Sequence, residues 1–266
     1  VSSLRQLVLV PPTRELRDIM TQSVFSVSTD MDQEEVAKIV ARYDILAVPV
    51  VDDRHCLVGI VTVDDVIDIF RREATEDILK MAGVGEEFVE TKSVLKSTRL
   101  RLPWLFASCI GGIMAFFIIG RFEESLQQVT YLAAFIPVIM GMGGNIGTQS
   151  STIVVRGLAT GRINVNDLHQ VVLKELAIGI ILGIIYGVFI GAVAQVSFNT
   201  VMLAVSVCAA VLCSMSVAAL VGSLVPMLFA RINIDPAIAT GPFVTTAIDI
   251  ISVYFYFMIA TTLLGI

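Results

Sequence analysis

The sequence predicts an α-helical membrane protein, with five transmembrane helices preceded by an N-terminal cytosolic α/β domain. Three observations carry this expectation. The chain has 266 residues, of which 56% are hydrophobic and only 16% charged, which is too apolar for an ordinary soluble domain. Charge is segregated: residues 1–100 hold 18 of the 24 acids and 12 of the 18 bases, and so the whole net charge of −6. The remainder breaks into five apolar runs, near 102–120, 128–155, 176–196, 199–230 and 237–265. Each approaches or exceeds the roughly 20 residues that cross about 30 Å of hydrocarbon. The second and fourth are longer than that minimum, which calls for tilt or partial breaks.

The soluble part reads as β-α-β-β-α. "VFSVS" (24–28) is a short strand, and "DMDQEEVAKIVARYD" (30–44) is a helix opening at an Asp cap with acids in its first turn. "AVPVVDD" (47–53) is a strand running into a turn, and "CLVGIVTV" (56–63) is the next strand. "DDVIDIFRREATEDILKMAG" (64–83) is a helix stopped by Gly83. "SLRQLV" (3–8) aligns in polarity with "TVDDVI" (62–67), so residues 1–10 read as the tail of a preceding repeat. With Val1 first, the chain is expected to be a piece of a longer one. Residues 84–101 read as a charged amphipathic connector helix, and 102–266 as the membrane domain.

Several classes are excluded at this level. An acidic soluble part argues against nucleic acid as a partner, because phosphate binding needs clustered Lys and Arg. Cys56, Cys109, Cys208 and Cys213 have no disulfide or zinc spacing, which suits a reducing compartment. His55 and His169 form no HExxH motif, which removes a zinc intramembrane protease. An aspartyl intramembrane protease needs two membrane carboxylates, and one is expected here, so no enzyme is predicted. With the soluble part in the cytosol, the inside loops carry Lys96, Arg99, Arg101, Arg156, Arg162, Lys174 and Arg231, and the outside loops only Arg121. That obeys the positive-inside rule and places the C-terminus outside a plasma (inner) membrane.

Asp249 is the residue that raises a chemical question. It lies in the last apolar run, with every membrane-part Lys and Arg at a segment end. Such a carboxylate must protonate against a neighbouring helix or recruit a cation. Counted from Asp235 at about 1.5 Å per residue, it is expected roughly 21 Å along the segment, near the bilayer middle. Pro242 is expected to kink that helix and free the Ile238 carbonyl, and Thr245 and Thr246 precede Asp249 by four and three residues. Oxygen-only chemistry of this kind suits a hard hydrated cation such as Mg²⁺. "PVIMGMGGNIGTQSST" (137–152) is expected to interrupt or line the second segment, where its side-chain oxygens can hold the waters of a cation. Gly179, Gly183, Gly187 and Gly191 recur every four residues and read as a packing face without chemistry. A third group is soluble: Asp64, Asp65, Asp68, Glu73, Glu76 and Asp77, with Asp235 at the mouth of the last segment. It is either a solvated acidic helix or a set of carboxylates bridged by divalent ions.

Two resemblances gather these observations. "DIM" (18–20), "VPVVDD" (48–53) and "LVGIVTVDDVID" (57–68) make residues 11–83 resemble a CBS domain. Together with "GMGGNIGTQSS" (141–151) and "INIDPAIATGPFVTTAID" (232–249), the chain resembles the MgtE-type magnesium channel/transporter family, without its amino-terminal helical domain and first CBS repeat. Thr148 stands where some members have Asn. The resemblance implies a homodimer in the lipid bilayer, with a pore on the two-fold axis. It implies a pore site of Asp249, Thr245, Gly141, Gly144, Asn145 and Thr148 holding Mg²⁺. It also implies regulatory Mg²⁺ at Asp235 and the soluble acids, closing the pore when cytosolic Mg²⁺ is high. A nucleotide site in the CBS region would need the absent repeat.

Overall fold

The computed structural model describes residues 1–266 except Val1, Ser3, Gln22 and Glu86. The repeat trace at 3–8 and the connector therefore fall partly outside the described residues. The chain divides into two compact units, Val1–Ala74 and Thr75–Ile266.

The first unit begins with the short helices α1 (Leu4–Leu9) and α2 (Leu16–Ile19), followed by β1 (Val27–Ser28) and α3 (Gln33–Arg42). The strands β2 (Ala47–Val51) and β3 (Leu57–Thr62) then lead into α4 (Val63–Met81), within which the boundary to the second unit falls. The β-α-β-β-α order is as expected. The α3 cap is Asp32 rather than Asp30: its side chain accepts the Glu34 N–H, one of the donors a helix start leaves free. The sheet has the order β1-β2-β3, with β1 parallel to β2 and β2 antiparallel to β3. Between β2 and β3 the Asp52 carboxylate accepts from the N–H groups of Arg54 and Cys56, closing the turn. Val27, Val36, Val40, Val48, Val66 and Ile69 form the core between sheet and helices. Val58, Ile60 and Ile67 remain exposed.

In the second unit a short helix α5 (Glu87–Glu90) precedes α6 (Val94–Arg121). Residues 94–101, expected in a separate connector helix, are instead the first turns of α6. No Gly interrupts that stretch, and Pro103 is accommodated within the helix. The short α7 (Glu123–Gln128) follows, then α8 (Leu132–Ala159), α9 (Leu168–Phe198), α10 (Val201–Arg231) and α11 (Pro242–Leu264), with 3₁₀ turns at Val165–Asp167 and Pro236–Ala239.

Among the described residues, four helices are long and apolar enough to cross a membrane: α6, α9 with its preceding turn, α10 and α11. α8 has the length, 28 residues, but Gly, Asn, Gln, Ser and Thr in its middle dilute its apolar character. Of the two alternatives, interrupting the segment or lining it, the polar run does not interrupt: α8 is continuous across it. Glycine weakens a helix by about 1 kcal/mol relative to Ala, and tertiary packing supplies the offset. A Cβ on Gly143 would lie 2.7 Å from Ser214 Oγ and 2.8 Å from Ser252 Oγ, and one on Gly147 would collide with Ile248.

α9 and α10 pack along the four-residue glycine ladder. Added Cβ atoms on Gly183 and Gly187 would come within 2.9 Å of the Leu212 backbone and 2.8 Å of the Cys208 carbonyl, so the two backbones nearly touch. Gly111 of α6 seats Thr246 of α11, and the Tyr256 hydroxyl donates to the Leu132 carbonyl at 2.8 Å. Leu132, Phe135, Ile139, Leu203, Ile248 and Phe257 are among the fully enclosed residues of this core.

Candidate ion site

α11 begins later than the sequence suggests. Gly241 takes φ +59° as its N-cap and Pro242 is the first helical residue, a position where the missing N–H costs nothing. Pro242 therefore starts the helix instead of kinking it. A separate 3₁₀ turn at Pro236–Ala239 lies between Asp235 and α11. Asp249 is thus the eighth residue of α11, about 11 Å along it from Pro242; the roughly 21 Å counted from Asp235 assumed one continuous helix between them.

The half-buried Asp249 side chain faces α8. Its Oδ1 is 3.6 Å from the place a Cβ on Gly144 would take, an ordinary van der Waals contact. Thr148 Oγ donates to the Gly144 carbonyl at 2.9 Å, which leaves the hydroxyl's own lone pairs for other partners. One turn away on α8, Gly141 and Asn145 are exposed, and a Cβ on Gly141 would meet nothing. Thr245 lies one turn before Asp249 and donates to the carbonyls of Gly241 and Pro242 at 3.0 and 3.3 Å. No described ion pair includes Asp249. The arrangement is a partly open, oxygen-lined face with one carboxylate and no counter-cation. Thr246 does not belong to it, because it is turned into α6 at Gly111.

The soluble acids are placed differently from one another. Asp65 accepts from the Thr62 hydroxyl at 2.6 Å and the Thr62 N–H at 2.9 Å, which holds its carboxyl below the usual carboxylate range. Glu73 accepts from Gln33 Nε2 at 2.7 Å. Asp64 and Asp68 are exposed on α4, and Glu76 and Asp77 are partly covered. Among the described residues no three His, Cys, Asp or Glu side chains converge as a metal-holding group.

Each oxygen of the partly exposed Asp235 carboxylate has a protein partner. One oxygen caps the 3₁₀ turn by accepting the Ala237 N–H at 2.8 Å, and the other takes Lys80 Nζ at 2.6 Å. The same ammonium meets Glu76 one turn earlier on α4. Burial pulls Lys80 down, but its hydrogen bonds to Asp235 and Glu76 prevail and hold it above the ordinary lysine value. Sequence reading placed Asp235 and Glu76 together but missed the lysine joining them; its signal was the i,i+4 spacing Glu76–Lys80.

A second acid was missed altogether. Glu175 immediately precedes the third apolar run, 176–196, but α9 starts at Leu168 and Glu175 is inside it, only 5% exposed. Its Oε2 accepts from Ser150 Oγ of α8 at 2.8 Å. The expectation of a single carboxylate among the membrane helices is therefore corrected. The signal was available: Glu175 stands four residues before Gly179, in phase with the glycine ladder.

Residues 136–259 match the family model MgtE, described as divalent cation transporter, and residues 16–72 match the CBS domain. The chain is 39% identical to the magnesium transporter MgtE of Bacillus subtilis and 40% identical to that of Enterococcus faecalis, over 98% of its length in each case. It is 38% identical over 99% of its length to the magnesium transporter MgtE of Thermus thermophilus. It spans 57–59% of the length of these relatives. Asp249, Gly144 and Thr148 lie within the stretch that matches the MgtE divalent cation transporter model, and the chain joins that stretch to a CBS domain.

Proposed function

We propose that the protein carries Mg²⁺ through the membrane, as a transporter and not an enzyme, with Asp249 as the residue that holds the ion. One observation carries the reading: Asp249 stands without a described cationic partner opposite Gly144, on a face where Thr148, Asn145 and Gly141 leave oxygen atoms and space. A carboxylate so placed is costly unless a cation compensates it. A small hydrated dication satisfies it through water with few direct ligands. The names of the relatives point to the same ion.

In this reading α8 crosses the bilayer beside the four more apolar helices, and its exposed polar face is covered by the same face of a second copy. Two Asp249 carboxylates then share the ion on the two-fold axis. The N-terminal unit lies in the cytosol and the C-terminus outside. Glu76, Asp77 and Asp235 form the cytosolic control point. There Mg²⁺ must displace Lys80 to reach Asp235, and its binding favours the closed state by differential affinity.

The test is Mg²⁺ uptake into proteoliposomes loaded with a Mg²⁺-sensitive dye. Asp249→Asn is expected to reduce uptake at least tenfold; uptake at the wild-type rate would remove Asp249 from the path. Simultaneous recording of luminal pH separates channel-like flux, which leaves it unchanged, from proton exchange.

A further inference from the structure

Glu175 has no part in the ion site as described. Buried carboxylates are expensive and rarely kept without a task. Its position on the packing face makes it stand out. Residues 175, 179, 183, 187 and 191 form one row on α9, and every other member is a glycine seated against α10. At the end of this row a carboxylate replaces the glycine pattern and reaches α8, accepting the Ser150 hydroxyl at 2.8 Å. None of the described ion pairs includes it. Beside Ser150, Ser151 is wholly buried and has no partner among the described residues, and the Thr148 hydroxyl bonds only within α8, so Ser150 makes the one described side-chain hydroxyl bond from this turn to another helix.

The neighbouring packing explains why a directional bond is needed there. α8 crosses α10 where Gly147 meets Gly222, backbone against backbone. Small-residue crossings permit close approach but present smooth surfaces, which set distance better than rotation or sliding. A hydrogen bond from Ser150 to a fixed acceptor on α9 supplies the missing constraint three residues beyond Gly147. Ser150 is six residues from Gly144 and two from Thr148, on the same rigid helix. Rotation of α8 would move both relative to Asp249.

We propose that Glu175 is a positioning residue for the ion site: through Ser150 it sets the rotation and register of α8 and so holds Gly144 and Thr148 opposite Asp249. The inference rests on the reading of Asp249 and Gly144 as an ion site. It requires an acceptor at position 175, not a charge.

The experiment is a double-mutant cycle on the protein in liposomes, reading Mg²⁺ half-saturation and maximal flux separately, with thermal unfolding in detergent as a second readout. Ser150→Ala and Glu175→Leu are each expected to raise the half-saturating Mg²⁺ about tenfold, the size of one lost buried hydrogen bond. The double variant should be no worse than either single one. Glu175→Gln, which keeps an acceptor oxygen, should restore half-saturation to within about twofold of the parent. Additive losses in the cycle would overturn the proposal, and so would a Glu175→Gln variant as impaired as Glu175→Leu, since the charge itself would then be required. Should Glu175→Leu not fold, the single variants keep the proposal falsifiable: Ser150→Ala is expected to be impaired about tenfold and Glu175→Gln to stay near the parent, and an unimpaired Ser150→Ala overturns it. Asp249→Asn run alongside keeps the two readings apart. Its failure to reduce uptake sinks the ion-site reading, while coupling between Ser150 and Glu175 in unfolding is read independently of flux.

Discussion

Gly241 shows how one residue governs the entry to the site. Its φ of +59° lies where side chains are strained, and a Cβ there would collide with the Met81 carbonyl. Gly241→Ala is therefore expected to lower stability by at least about 1 kcal/mol, visible as a reduced Tm in detergent; an unchanged Tm would mean that the α11 entry relaxes freely. Tyr256 offers a second residue-scale check. Its buried hydroxyl spans from α11 to the Leu132 carbonyl at the start of α8, so Tyr256→Phe should cost about 1 kcal/mol by removing that buried hydrogen bond. The chemistry of Asp249 was legible in the sequence because a lone acid in an apolar run is anomalous wherever it sits. Its depth was not legible. The count assumed one continuous helix from Asp235, and the break at Gly241 depends on a positive φ that Met81 packs against.

At the scale of elements, the glycine ladder of α9 and the lysine bridge from α4 make opposite predictions. The ladder is a matter of distance: a Cβ on Gly183 would already touch Leu212 backbone at 2.9 Å. Gly183→Leu must force α9 and α10 apart, with an expected loss of about 1–3 kcal/mol or more, measured by thermal unfolding. The bridge is a matter of competition. Lys80 occupies Asp235 and Glu76 at once, with each member about one-third exposed, so solvent screening limits its strength. Lys80→Met should lower the cytosolic Mg²⁺ needed to close the protein by about two- to fivefold. A dose response identical to the parent would show that the ammonium and Mg²⁺ do not share these carboxylates. The ladder could be read from a four-residue period alone. The bridge could not, because Lys80 and Asp235 are 155 positions apart and only folding brings them within 2.6 Å.

At the scale of the whole molecule, the open face of α8 carries the prediction. Gly141, Asn145 and Gln149 recur every four residues and are all exposed, while Gly143, Gly147 and Ser150 are buried against other helices. A polar stripe of this kind cannot face hydrocarbon at low cost, and a second copy presenting the same stripe satisfies it. Asn145→Cys is expected to cross-link two copies under mild oxidant in membranes, read as a dimer-sized band; a band that stays at monomer size under all oxidants would exclude a two-fold axis beside α8.

Composition and charge segregation alone determined that the chain has an acidic α/β unit and an apolar helical one. Period-four glycines and the lone Asp249 likewise marked a packing face and a candidate ion residue. These are properties of local pattern, which burial, helix geometry and the cost of charge in apolar surroundings make readable without a fold. Only the tertiary structure decided that α8 stays helical through its polar run, that Pro242 begins a helix, that Asp235 is held by Lys80, and that Glu175 is an interior residue tied to Ser150. Each of those outcomes depends on atoms distant in the chain. Packing supplies the energy that offsets poor helix propensity, and a buried polar group is specified by whichever partner the fold brings to it.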